Sequence, residues 1–167
     1  MTVTVSSNPE VADQSTTICS ASTVGLTLAD DVDGPSVASY DLTSITPEAG
    51  LSADASNAVL GTNLASDAIA SDVWTNTTAT PLDVVYSFTP VSSDNCIGAA
   101  FTVTVTVNPE PEVTDQSTTI CSASTVGLTL ADDVDRPSVS SFDLTAITPS
   151  AGLSADEIGR ASCRERV

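Results

Sequence analysis

The sequence predicts an all-β protein made of repeated two-sheet sandwiches, and three observations carry that expectation. Thr, Ser, Val and Ala are abundant while charged residues are few and dispersed, a composition suited to strands and not to a disordered acidic tail. Short apolar–polar alternations recur, with turn-forming clusters between them. A long internal repeat is also plain: Asp13 to Asp54 returns as Asp115 to Asp156 with an offset of 102 residues, and only five of the 42 positions differ.

The elements follow in chain order. "TVGLTL" alternates Val24, Leu26 and Leu28 and reads as a strand. "DDVDGPS", "TPEAG" and "SSDNCIG" are turn formers that separate the apolar runs. No segment has convincing helical periodicity; the nearest is "NLASDAIASDV", Asn63 to Val73, where a short helix competes with strand or loop. "DVVYSFTP" alternates Val84, Tyr86 and Phe88 and is expected to stop at Pro90, which cannot donate to a ladder. "FTVTVTV" alternates strictly, Phe101, Val103, Val105 and Val107 on one face and Thr102, Thr104 and Thr106 on the other.

Several short strands punctuated by turns in one repeat length suggest an immunoglobulin-like sandwich. One complete module is expected over residues 9–108. Residues 1–8 read as the last strand of a preceding module, which is consistent with Met1 being an internal start. A truncated second repeat occupies 109–156, joined through the proline-stiffened "NPEPE". Without its later strands, that second copy is expected to leave apolar faces unpaired. After Asp156 the agreement between copies stops at one residue, and "EIGRASCRERV", residues 157–167, resembles translated sequencing-adapter read-through; it is set aside as a non-native tail.

Composition excludes whole classes of chemistry. There is no histidine, and all four basic residues are arginines, three of them in the tail. A Ser-His-Asp arrangement and a His-ligated zinc site are therefore excluded. The remaining 156 residues carry one base against 20 acids, a formal net charge of −19, which disfavours nucleic acid and anionic membrane surfaces. No run approaches the roughly 18 apolar residues needed to span a bilayer. Carboxylate pairs of the glycosidase kind lack a set of aromatic sugar platforms, because Tyr86, Phe88 and Phe101 alternate toward the core. The chain is read as no enzyme and as needing no cofactor.

"TICSAST", the closing block "TNTTATPLDVVYSFTPVSSDNCIGAAFTVTVTVNPEP" and the tandem arrangement resemble the PKD-like, immunoglobulin-fold repeats of large secreted bacterial surface proteins. The resemblance covers nearly all of Pro9 to Pro111 and the visible part of the second copy. It implies export to the cell surface, tandem arrays and a stalk-like or adhesive role, with neighbouring repeats of the same chain as partners. In an oxidising extracellular setting, Cys19 and Cys96 are expected to form a disulfide closing 77 residues. Two buried reduced thiols are the alternative. The second copy repeats the first cysteine as Cys121; the counterpart of Cys96 would fall near position 198.

Asp30, Asp31 and Asp33 in "LADDVDGPS" form a candidate calcium site, since hard cations favour clustered carboxylates. The rest of an EF-hand pattern is missing, so a solvated acidic loop competes with this reading. The second copy has Arg136 in place of Gly34, so a glycine turn is not essential. Trp74 is expected in the core, against an exposed ligand contact. Asn76 in "NTT" is read as a turn residue and not a glycosylation site. The function expected is a non-catalytic spacer that presents distal domains. The alternatives are an adhesin-type module for extracellular glycan or protein, assisted by calcium, and an accessory domain of a secreted enzyme.

Overall fold

The computed structural model describes residues 1, 5, 7–30, 34–122, 124–132 and 137–152. Two compact units are present, Met1–Glu110 and Pro111–Val167. The first contains β1 (Gln14–Cys19), β2 (Val37–Pro47), β3 (Leu51–Ala53), β4 (Gly61–Leu64), β5 (Trp74–Asn76), β6 (Leu82–Ser92) and β7 (Phe101–Asn108), with no α-helix among the described residues. Five strands form one sheet in the order β1-β7-β6-β2-β4, and β3 pairs with β5 in a small second sheet.

The alternation in β7 buries Phe101, Val103, Val105 and Val107 and leaves the threonines half-buried on the opposite face. β6 does the same with Val84, Tyr86 and Phe88. The two pair antiparallel, Val84 opposite Val105 and Phe88 opposite Phe101. β1 adds to the other edge of β7 in parallel, from Gln14 opposite Val103 to Cys19 opposite Asn108. A parallel pair needs a long crossover connection, and here the rest of the module lies between the two strands.

β6 runs through Pro90 to Ser92, past the expected stop. The N–H and C=O of one strand residue point the same way, and the Pro90 carbonyl accepts from Gly98 N at 2.8 Å. The missing N–H therefore falls where β7 has not begun, since that strand starts opposite Phe88. Val24 to Leu28 differ from the expected strand. Gly25 adopts φ +65, a left-handed conformation that interrupts pleating. The segment bonds instead to the alanine-rich turn: Val24 N to Asp72 O, Gly25 N to Ala70 O and Leu28 N to Ser66 O. Val24 and Leu28 nevertheless reach the core. Asn63 to Val73 is not helical after the end of β4. Its bonds from Ala68 N to Ala65 O, Ala70 N to Asp67 O and Asp72 N to Ile69 O make successive tight turns that bury Ile69.

All five aromatic side chains of the first unit join one cluster. Trp74 meets Tyr86 edge-on at 6.5 Å, Phe88 and Phe101 stack at 5.8 Å, and Tyr40 meets both phenylalanines edge-on. Such pairs add about 0.5–1.5 kcal/mol each beyond the apolar area they bury.

In the second unit the described residues form no strand, although Asp115 to Gly152 nearly repeats the strand-forming Asp13 to Gly50. Phe142 and Leu144 are 46% and 79% exposed, where their counterparts Tyr40 and Leu42 are 3% and 2% exposed. Nothing in residues 111–152 corresponds to β6 or β7, and those strands supply the face that covers Tyr40 and Leu42 in the first unit.

Gly98 marks the closest approach in the first unit: a Cβ there would fall onto the Pro9 carbonyl oxygen and the Pro90 ring. Gly98→Ala is expected to destabilise the unit by about 1–3 kcal/mol, the range for overpacking. At Gly61 a Cβ would make only ordinary contact, 3.7 Å to Leu64, so Gly61→Ala is the control. Equal urea midpoints for both variants and the parent chain would contradict this packing.

Candidate functional site

Asp30 closes the loop that follows Leu28: its Oδ1 accepts from Val37 N at 2.7 Å. The counterpart Asp132 does the same for Val139 N at 2.9 Å. The repeated bond gives this carboxylate a structural task, holding the start of β2. Asp31 and Asp33 lie outside the described residues, and no group of three metal-ligating side chains is present among the described ones. Beside Asp30 is a cleft of about 320 Å³ lined by Leu28, Val37, Tyr40, Ala65 and Ser66. Tyr40 donates its hydroxyl to Ala29 O at 2.9 Å. Burial, and secondarily the Asp30 charge, hold that hydroxyl above its usual range. In the second copy the position is Phe142, so the bond is not common to both copies.

The expected Cys19–Cys96 disulfide is not formed; both cysteines are free thiols, Cys19 exposed and Cys96 half-buried. The reason is topological. Cys19 is level with Asn108 at the far end of β7. Cys96 lies beyond the opposite end, in the turn between β6 and β7, where its carbonyl accepts from Ser92 N at 3.0 Å. Leu82 is opposite Val107, so the two sites are separated by the length of β6. At about 3.3 Å per residue that is roughly 30 Å, against a Cα–Cα limit of about 7 Å for a disulfide. Cys121 is disulfide-bonded.

The most constrained polar group is Asp72, which is fully buried. Its Oδ2 accepts from the Tyr86 hydroxyl at 2.8 Å, and its Oδ1 accepts from Ala58 N at 2.7 Å. Tyr86 in turn accepts from Trp74 Nε1 at 2.6 Å. Trp74 is thus a core residue, as expected, with its one polar atom satisfied. Asn57 supports the same corner by donating to Val73 O and accepting from Val73 N, the way a strand neighbour would. No cationic side chain occurs among the described residues, so the Asp72 carboxyl has no countercharge. Burial raises its pKa, against the lowering effect of the bonds from Ala58 and Tyr86. The Tyr86 hydroxyl is likewise pushed far up, chiefly by burial. A sealed carboxyl with every hydrogen bond internal holds two layers together and offers nothing to a substrate.

Asn76 is a second internal tie. It is buried, its Nδ2 donates to Thr80 O and Val107 O at 2.8 Å each, and its Oδ1 accepts from Thr78 N at 2.9 Å. This side chain bridges the small sheet to β7, and its amide is occupied in that role. Asp72, Asn57 and Asn76 carry no pattern that distinguishes them in the sequence from loop polar residues. The one available signal is the clustering of Asn and Asp around short apolar segments.

Two outcomes test the buried network. Tyr86→Phe removes the partner of both Trp74 Nε1 and the Asp72 carboxyl and is expected to cost about 2–4 kcal/mol, the penalty for two unsatisfied buried groups. The Asp72 carboxyl has a raised pKa in the folded chain, so its contribution is complete below the unfolded value and is lost as pH rises through the folded one. The stability of the parent chain minus that of Asp72→Asn, followed by urea unfolding from about pH 4 to 7, should therefore fall with rising pH. A difference that is flat or rises with pH would contradict the assignment.

One comparison with known proteins agrees with this architecture. The PKD-like domain profile matches residues 16–111, more than half of the chain and nearly all of the strand-bearing unit. No curated protein and no solved structure matches the chain. The match spans all of β2–β7, most of β1 and the buried polar corner: the chain belongs to the PKD-like domain family.

Proposed function

We propose that this chain is a piece of a non-catalytic spacer in a secreted or cell-surface bacterial protein, in which PKD-like repeats present domains carried farther along the chain. The observation that supports it most is the direction of the chain through the first unit. It enters at Pro9, packed beneath Gly98 at one pole, and ends β7 at Asn108, level with Cys19 at the other. A module crossed from pole to pole adds its length to an array. The buried Asp72 and Asn76 side chains are committed to internal bonds, which suits a strut. The acidic surface suits one too, since like charge keeps neighbouring chains apart. Among the described residues no helix is long and apolar enough to cross a membrane.

A second reading, an adhesin-type binding module for extracellular glycan or protein, rests on the cleft beside Asp30. Calorimetry separates the two. The spacer reading expects no saturable heat when the chain is titrated with calcium to millimolar levels or with soluble polysaccharides. Saturable heat that disappears in Asp30→Asn would favour the binding module. Antibodies raised against the first unit are expected to label intact source cells without permeabilisation; labelling only after lysis would overturn the surface assignment.

A further inference from the structure

Cys19 and Cys96 are both free, one at each pole of a single sheet. The Cys96 pole is where the chain enters. Gly98, two residues on, donates to Pro90 O at 2.8 Å and lies directly against the Pro9 carbonyl. The Cys19 pole is where the chain leaves, and Ser20 N there bonds Asn108 O at 2.8 Å. The repeat resumes at Pro111, the counterpart of Pro9, three residues after Asn108. The complete repeat therefore carries one thiol beside its entrance and one beside its exit.

We infer that these two thiols are the halves of an end-to-end disulfide, Cys19 of one copy of the module joined to Cys96 of another. Position makes the pair complementary. A bond within one module is ruled out by the separation of about 30 Å along β6. A Cys19–Cys19 bond would set two identical poles together, whereas Cys19 with Cys96 sets an exit beside an entrance. The two ends also differ in a useful way. Cys19 is exposed, while the Cys96 backbone is fixed by bonds from Ser92 N to its carbonyl at 3.0 Å and from its own N–H to Ser92 Oγ at 3.2 Å. An accessible thiol thus meets one that is already positioned.

The chemistry balances with a low-molecular-weight disulfide, such as oxidised glutathione, as oxidant. One cysteine thiolate attacks a sulfur of the oxidant and displaces a glutathione thiolate, leaving a mixed disulfide. The thiolate of the second module attacks the protein sulfur of that mixed disulfide and displaces the other glutathione thiolate. Two protein thiols lose two electrons and two protons, one S–S bond forms, and one glutathione disulfide is reduced to two thiols. The inference rests on the tandem arrangement of the spacer reading, and the two fail separately, because an uncrosslinked array would still be a spacer.

The test uses the full chain with Cys121→Ser and Cys163→Ser, which leaves Cys19 and Cys96 as its only thiols. An equimolar mixture of isotope-labelled and unlabelled chain is oxidised with glutathione disulfide at high protein concentration, quenched by alkylation, and resolved without reductant. The expected result is a ladder of multimers whose linked peptides join Cys19 to Cys96, with mixed labels in about half of the pairs. Adding Cys19→Ser or Cys96→Ser should abolish every species above a dimer. The inference is overturned by Cys19–Cys96 linkage confined to monomers, by Cys19–Cys19 linkage as the main product, or by thiols that end only as glutathione adducts or alkylated cysteine while circular dichroism shows the sheet intact.

Discussion

The first unit depends on the docking of β7 between β1 and β6. The last strand of the module is second in the sheet, and its valine face is the centre of the core. Until Phe101–Asn108 is in place, β1 has no neighbour and β6 lacks its inner edge. The second unit shows what this means for the rest of the chain. Nearly the same residues that form β1 and β2 in one unit form no strand in the other, and the side chains that fill the core in one are exposed in the other. β-Propensity here is a capacity to fit a pleated, half-buried surface, and it yields strands only when that surface is supplied. Five substitutions in 42 positions do not account for the contrast; the partner strands do.

Much of this architecture was legible in the sequence. Period-two alternation identified β6 and β7 and their buried faces, because every second residue of those runs is apolar and large. The same alternation failed at Val24 to Leu28. One left-handed glycine turned the backbone away from pleating while leaving its apolar side chains directed inward. Sequence periodicity reports which side chains are buried more faithfully than it reports how the backbone is bonded. The cysteines show a different failure. Two cysteines per module invite a bond between them, but sequence separation says nothing about which pole each reaches. That answer required the parallel β1–β7 register.

Polar residues set the limits of the reading. Asp72, Asn57 and Asn76 look like ordinary loop residues, yet they replace missing ladder bonds and tie the small sheet to the large one. A carboxyl buried without a countercharge follows directly from composition: with no lysine or histidine and only one arginine before the tail, the chain has almost nothing to pair it with. Hydrogen bonds from Tyr86 and Ala58 take the place of an ion pair. The same composition leaves the chain without side-chain imidazole or amine chemistry.

The parallel register of β1 and β7 has a mechanical meaning. A load applied along an array would draw the start of β1 toward one pole and the end of β7 toward the other. Two parallel strands pulled in opposite senses slide past each other lengthwise, so the bonds from Gln14–Val103 to Cys19–Asn108 share the strain together and do not open one after another like a zip. Rupture under tension is governed by the rate of unfolding and not by equilibrium stability. Under such a load, even a unit of modest thermodynamic stability would hold for as long as its unfolding is slow.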